Sequence, residues 1–72
     1  MTHPTNMPPE ARSAALKRLR VHHALSQAEL ADVLCIAAGS EQAKRNRVSR
    51  WERGEDGGCP AWALQLARLA LT

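Results

Sequence analysis

The sequence predicts an all-α domain of four short helices, or five. Apolar residues recur at three- and four-residue spacing in successive segments, and serine and glycine signals for helix ends separate those segments. No segment alternates polar and apolar residues as a half-buried strand does. With 72 residues, 44% of them hydrophobic, the chain has room for a single domain.

The first helix is expected from Glu10 to about His23, after a proline-rich start. Residues 1–9 contain three of the four prolines and no apolar pattern, and they predict a disordered arm. Pro8 and Pro9 suit the first turn of a helix, where a missing N–H group costs nothing. The buried face is predicted to consist of Ala15, Leu16, Leu19 and one of His22 and His23.

Two serine caps predict the starts of the second and third helices. Ser26 and Glu29 have capping-box spacing, so a helix is expected to begin at Gln27. Its inward residues are predicted to be Leu30, Ala31, Val33 and Leu34, with an end near Ala38. Gly39 then stops that helix and Ser40 caps the third, which Gly54 closes. A start at Lys44 after a long loop is the alternative.

A fourth helix is expected after the 54–59 loop, opened by Pro60. Its buried stripe is predicted to comprise Trp62, Leu66, Leu69 and Ala70. Leu64 and Leu71 lie partly off that stripe and are candidates to meet a partner chain. Trp51 and Trp62 are expected in the core, with a dimer interface as the alternative for Trp62.

The third helix is predicted to have two different faces. At 100° per residue from Val48, Trp51 and Glu52 fall at about −60° and +40°. Asn46, Arg50 and Arg53 fall on the far side at about 140–200°, flanked by Arg47 and Ser49. Arginine and asparagine match the guanine and adenine edges of the major groove. Segment 41–53 carries a net charge of +3, equal to that of the whole chain. The alternative is an ordinary solvated basic face.

Three motifs, in this order, resemble the Xre/Cro (lambda-repressor-like) helix-turn-helix family of phage repressors and bacterial regulators. They are LKRLR at 16–20, LSQAELA at 25–31 and VSRWERG at 48–54. The resemblance covers about residues 14–71. It implies that the second helix lies across the DNA backbone and that the third enters the major groove.

The resemblance also implies roles for individual residues. Base reading falls to Arg45, Asn46, Arg47 and Arg50, and phosphate contact to Gln27, Lys44, Ser49 and Arg53. Arg20 and Glu52 match a partly buried ion pair between the first and third helices. Ser26, Glu29 and Trp51 have structural roles.

The sequence departs from the family pattern at two places. Sixteen residues separate Leu34 from Trp51, where the family typically has nine. If the third helix starts after Ser40, Glu41 and Gln42 extend the reading helix. Ala24 and Cys35 stand where glycine is frequent, and an alanine at positive φ costs about 1 kcal/mol, so a different first turn is expected.

The resemblance implies a stand-alone, sequence-specific regulator of transcription, a repressor or autoregulator that binds double-stranded DNA. It would act as a homodimer on a palindromic operator with half-sites about 34 Å apart. Such minimal regulators are typical of phages and other mobile elements, including autoregulators of anti-CRISPR operons. Two alternatives are an antitoxin that binds its toxin and its own promoter, and a protein- or RNA-binding module that lacks base readout.

Other function classes find little support in the sequence. His3, His22, His23, Cys35 and Cys59 lack the spacing of a metal site, so no metal or other cofactor is expected. No nucleophile lies beside a plausible base, which argues against an enzyme. No apolar run of membrane-spanning length or secretion signal is found, and two cysteines without such a signal predict a cytoplasmic protein with free thiols.

Overall fold

The computed structural model describes residues 3–34 and 39–71. These residues form four α-helices and two 3₁₀ turns, with no strand among them, which confirms the all-α prediction. The elements are a 3₁₀ turn at Pro4–Asn6, α1 at Pro9–His22, α2 at Gln27–Val33, α3 at Glu41–Glu52, a 3₁₀ turn at Glu55–Gly57 and α4 at Ala61–Leu71. Within the described ranges, no helix is long and apolar enough to cross a membrane.

Helix α1 ends in a Schellman motif, in which an alanine takes the place usually held by glycine. The Leu25 N–H donates to the Arg20 carbonyl at 3.1 Å, and the Ala24 N–H donates to the Val21 carbonyl at 3.0 Å. Ala24 has a φ of 55°, in the left-handed region. The expectation of a different turn is therefore wrong, because the paired carbonyls hold the alanine in a conformation that costs roughly 1–2 kcal/mol.

The two histidines that follow α1's apolar residues do not join the core. His22 and His23 are both exposed, and their rings meet edge to face with centroids 5.1 Å apart. The prediction that one of them completes the buried face is wrong. His22 is the last residue of α1 and His23 is its C-cap, and the neighbouring Val21 is 59% exposed, so this end of the helix lies outside the core that buries Leu16.

The capped starts of α2 and α3 agree with the sequence. Ser26 Oγ accepts from the Glu29 N–H at 3.0 Å, and Glu29 Oε1 accepts from the Ser26 N–H at 2.8 Å, completing the capping box. Ser40 Oγ accepts from the Ala43 N–H at 3.2 Å, so α3 begins at Glu41 and not at Lys44. Helix α2 ends at Val33, earlier than expected; Cys35 and the rest of 35–38 lie outside the described residues.

The hydrophobic core draws on all four helices and on the loop before α4. Its buried apolar residues are Leu16, Leu30, Ala31, Leu34, Val48, Trp51, Cys59, Ala63, Leu64 and Ala67. Helix α2 packs most extensively against α3, and α1 packs against α4. The core thus holds α3 by Val48 and Trp51, and the residues on the side of α3 opposite Val48 are exposed.

Helix α4 is turned about its axis relative to the prediction. Ala63, Leu64 and Ala67 are fully buried, whereas Trp62 is 51% exposed, Leu69 is 72% exposed and Ala70 is exposed as well. Leu71 is partly buried against the core, as is Leu66. The predicted stripe is wrong because α4 itself carries apolar residues on two opposite sides, and the other side faces the core. The small Ala63 and Ala67 side chains permit close contact with the neighbouring helices.

The segment before α1 lies against the domain, in contrast to the expected disordered arm. Pro4 is buried, and Met7 packs against the core. The guanidinium of Arg12 explains this order, since it donates to the carbonyls of Cys59 and Met7, each at 2.6 Å, and of Pro4 at 3.4 Å. One side chain therefore joins residues 4–7 to the loop that precedes α4.

Candidate nucleic-acid interface

Helix α3 has one buried edge and one exposed side. Val48 is fully buried, Trp51 is 7% exposed, and the Trp51 ring meets the Trp62 ring edge to face with centroids 5.7 Å apart. The four residues predicted to read bases are all exposed: Arg45, Asn46, Arg47 and Arg50. Asn46 and Arg50 lie one turn apart on the side opposite Val48, and Arg47 flanks them, whereas Arg45 lies about 60° from Val48 on the Glu52 side of the helix.

A hydrogen-bonded triad occupies the first turns of α3. Gln42 Nε2 donates to Asn46 Oδ1 at 3.0 Å, and Arg45 Nη2 donates to Gln42 Oε1 at 2.7 Å. Gln42 therefore occupies one of the two acceptor positions of Asn46 Oδ1, and the other position and the Asn46 amide N–H groups are left for the edge of an adenine. The sequence placed Gln42 in the extended helix but missed this pairing, although a Gln–Asn pair four residues apart is a known helix-surface signal.

Two cations predicted to contact phosphate are paired with carboxylates. Lys44 Nζ lies 3.1 Å from Asp32 Oδ1 and 3.8 Å from Glu41 Oε1, and its hydrogen bond to Asp32 raises the pKa of Lys44. Arg53 Nη2 lies 2.8 Å from Glu55 Oε2. Both pairs are open to solvent, where such pairs are weak and screened by salt. A phosphate group can therefore replace either carboxylate at little cost.

A buried carboxylate connects α1, α2 and α3. Glu52, whose side chain is 4% exposed, accepts from Arg20 Nε at 2.7 Å and from Arg20 Nη2 at 3.0 Å. This hydrogen bonding to Glu52 raises the pKa of Arg20, which also donates to the Leu25 carbonyl at 2.9 Å. The ion pair that the resemblance implies is thus present and bidentate, the strong geometry for such a pair.

The same carboxylate also holds the first residue of α2. Gln27 Nε2 donates to Glu52 Oε1 at 3.3 Å, and the Gln27 side chain is half-buried. One hydrogen of the Gln27 amide is therefore used within the protein, while the amide group itself lies at the junction of α2 and α3. Sequence reasoning missed this bond because it joins residues 25 positions apart through side chains alone.

The chemistry of this surface is that of cations and amides. Ser49, the remaining predicted phosphate contact, is half-buried on α3. Across the described ranges 3–34 and 39–71, no three His, Cys, Asp or Glu side chains come together in a way that could hold a metal ion. Such a surface can bind anions and hydrogen-bond base edges.

Comparison with protein-family models, curated proteins and solved structures finds no match to this chain.

Proposed function

We propose that this chain is a lambda-repressor-like helix-turn-helix protein that binds double-stranded DNA sequence-specifically and represses transcription, including that of its own operon. The observation that carries the proposal is the division of α3 into a buried Val48–Trp51 edge and an exposed side of arginine and asparagine. A helix fixed by one edge presents its other side as a rigid surface. Base reading requires such a surface, since small displacements break bidentate hydrogen bonds.

The dimensions of α3 suit the major groove. Its 12 residues extend for about 18 Å, and the groove is about 12 Å wide, enough to admit an α-helix. Arg50 or Arg45 would pair with the O6 and N7 atoms of guanine, and Asn46 with the N6 and N7 atoms of adenine. Arg47 flanks this side and completes the base-reading set.

Phosphate contacts would fix α3 in register along the groove. Gln27 is held at the α2–α3 junction by Glu52, and Lys44 and Arg53 lie near the two ends of α3. In this proposal the phosphates displace Asp32 and Glu55 from these two cations, and Ser49 donates from the helix surface. These contacts position the protein but carry no sequence information.

One helix reads only a few base pairs, so specific recognition argues for two copies on an inverted repeat. Two α3 helices about 34 Å apart would enter successive major grooves on one side of the duplex. The bound dimer would then repress by covering the promoter.

The proposal is tested by selecting binding sites from random duplex DNA at near-physiological salt. We expect an enriched inverted repeat, with Arg50→Ala losing about 1–3 kcal/mol of discrimination at one base position. Gln27→Ala should weaken binding to all sequences alike. Arg18→Ala, which removes the same charge from the exposed side of α1, is the matched control and should keep the preference.

Two outcomes would contradict this function. Binding without sequence enrichment that disappears as salt rises would indicate only non-specific attraction to phosphate. An equal loss of affinity in Arg50→Ala and Arg18→Ala would show that net charge, and not α3, determines binding. Either result would favour the alternative of a module that binds a protein, such as a toxin.

A further inference from the structure

Helix α4 carries a second apolar face on the outside of the domain. Trp62 and Leu69 are 51% and 72% exposed, and Leu66, which is partly buried against the core, lies beside them on the same face of the helix. On the opposite side of the helix, Ala63, Leu64 and Ala67 are fully buried. The one charged residue of α4, Arg68, has its Nη2 atom 3.8 Å from Met7 Sδ. A helix with apolar residues on two opposite sides is normally covered on both.

We infer that this outer face of α4 is the contact surface between two copies of the chain, packed antiparallel about a two-fold axis. The inference deepens the proposed function, on which it rests in part, because it gives the proposed dimer its interface. The outer face is defined here as Trp62, Gln65, Leu66, Leu69 and Ala70.

The spacing of the outer face is self-complementary. Trp62 and Leu69 are seven residues, about 10 Å, apart along α4. A two-fold axis midway between them, at Gln65 and Leu66, places Trp62 of each copy against Leu69 of the other. The large indole ring thus covers the most exposed leucine twice, once on each side of the axis. Isologous contacts of this kind are the commonest form of protein dimer.

Charge favours a second copy over a charged partner. The chain has a net charge of +3, and segment 41–53 accounts for that same excess. Two positively charged copies repel each other less across a face without charged residues, and none of the five residues of the outer face is charged. An acidic or basic peptide would find no charged side chain on this face to pair with. An identical apolar face would gain by burial, at about 25 cal/mol per Å².

The small area of the outer face limits the affinity of the two copies for each other. Its half-exposed tryptophan contributes on the order of 100 Å², and a patch of this kind amounts to a few hundred Å². A stable dimer buries about 800 Å² on each partner. We therefore expect a dimer that dissociates in the micromolar range or above in the absence of DNA. Two adjacent half-sites would raise its occupancy through effective concentration.

The test is sedimentation velocity on the full chain without DNA, from about 1 µM to about 1 mM. We expect the sedimentation coefficient of the wild type to rise from that of a monomer to that of a dimer. Leu69→Lys should shift this transition at least tenfold upward in concentration. Val21→Lys is the matched control, since Val21 is 59% exposed on α1 and also accepts a lysine without burying its charge. It should leave the transition unchanged.

Each other outcome overturns the interface. A wild type that stays monomeric up to 1 mM would show that the outer face does not pair with itself. Equal weakening by Leu69→Lys and Val21→Lys would place the contact elsewhere. The results distinguish the interface from the function. A protein that stays monomeric but still selects an inverted repeat refutes the α4 contact alone. A protein that forms the dimer but enriches no duplex sequence refutes the DNA-binding function alone.

Discussion

Replacing Ala24 by glycine should stabilise the fold, although glycine usually destabilises a protein. The reason lies in the Schellman motif at the end of α1. The Ala24 and Leu25 N–H groups bond the last carbonyls of the helix, and this geometry forces Ala24 to a φ of 55°. A glycine occupies that region without strain, because it lacks the Cβ atom that in alanine comes too close to the following carbonyl oxygen.

The expected change in the free energy of unfolding is the difference between two opposing contributions. Relieving the left-handed alanine gains roughly 1–2 kcal/mol, and the greater freedom of glycine in the unfolded chain costs about 0.5–1 kcal/mol. The Ala24 methyl is exposed, so its removal leaves no cavity. We expect a net gain of about 0.5–1 kcal/mol, which in a domain of this size raises the Tm by about 2–8 °C.

Urea unfolding and scanning calorimetry of Ala24→Gly measure this gain. Ala14→Gly makes the same chemical change at an exposed position inside α1, where the backbone is helical, and should lose about 0.5–1 kcal/mol. A rise in the free energy of unfolding for Ala24→Gly and a fall for Ala14→Gly would support strain at Ala24. The reasoning is refuted if both variants lose stability to a similar extent, since Ala24 would then store no strain in solution.

Three further predictions concern ionisable groups. Burial raises the pKa of the Cys59 thiol from 9.0 to about 11. The unfolded chain therefore loses this proton first as the pH rises, and the free energy of unfolding should fall by about 2–3 kcal/mol between about pH 9 and 11. Urea unfolding across that range should show no such decrease in Cys59→Ala. Glu52→Gln should lose about 3 kcal/mol, because Arg20 keeps its charge without its buried partner; a loss near zero in urea unfolding would contradict the pairing. Asp32→Asn should release Lys44 and raise affinity for duplex DNA about two- to fivefold at low salt but not at high salt, measured by anisotropy of a labelled duplex.

The helix starts were predictable because their signals are local. The Ser26–Glu29 capping box and the Ser40 cap each bond a backbone N–H three residues away, so four consecutive residues contain the whole interaction. The exposed side of α3 was predictable for a similar reason, since helical geometry alone places Asn46 and Arg50 opposite Val48.

The orientation of α4 and the order of the first residues were not predictable in this way. Because α4 carries apolar residues on two opposite sides, the spacing of these residues fits two possible buried stripes equally well. Only the close packing of the small Ala63 and Ala67 side chains against the other helices determines which stripe is buried. The contact that holds residues 4–7 uses backbone carbonyls, and it joins Arg12 to Cys59 across 47 positions. Carbonyls occur at every residue and therefore leave no signal in a sequence.

Within the candidate site, the sequence identified the residues but not their pairing. Gln27 and Glu52 were assigned separate roles, yet one hydrogen bond couples them. Gln42 likewise occupies one of the two acceptor positions of the Asn46 side-chain oxygen. Such couplings depend on rotamers and on the distance between helices, and neither quantity is encoded in spacing.

The contact between the two tryptophans makes the junction of α3 and α4 visible to spectroscopy. The chain has no tyrosine and no phenylalanine, and the Trp51 and Trp62 rings meet at 88° with centroids 5.7 Å apart. Its near-ultraviolet circular dichroism therefore arises from one pair of coupled indoles. A state that keeps its helices but loosens this contact would lose the near-ultraviolet signal and retain the far-ultraviolet one. The protein thus reports on the attachment of its exposed basic helix without any added label.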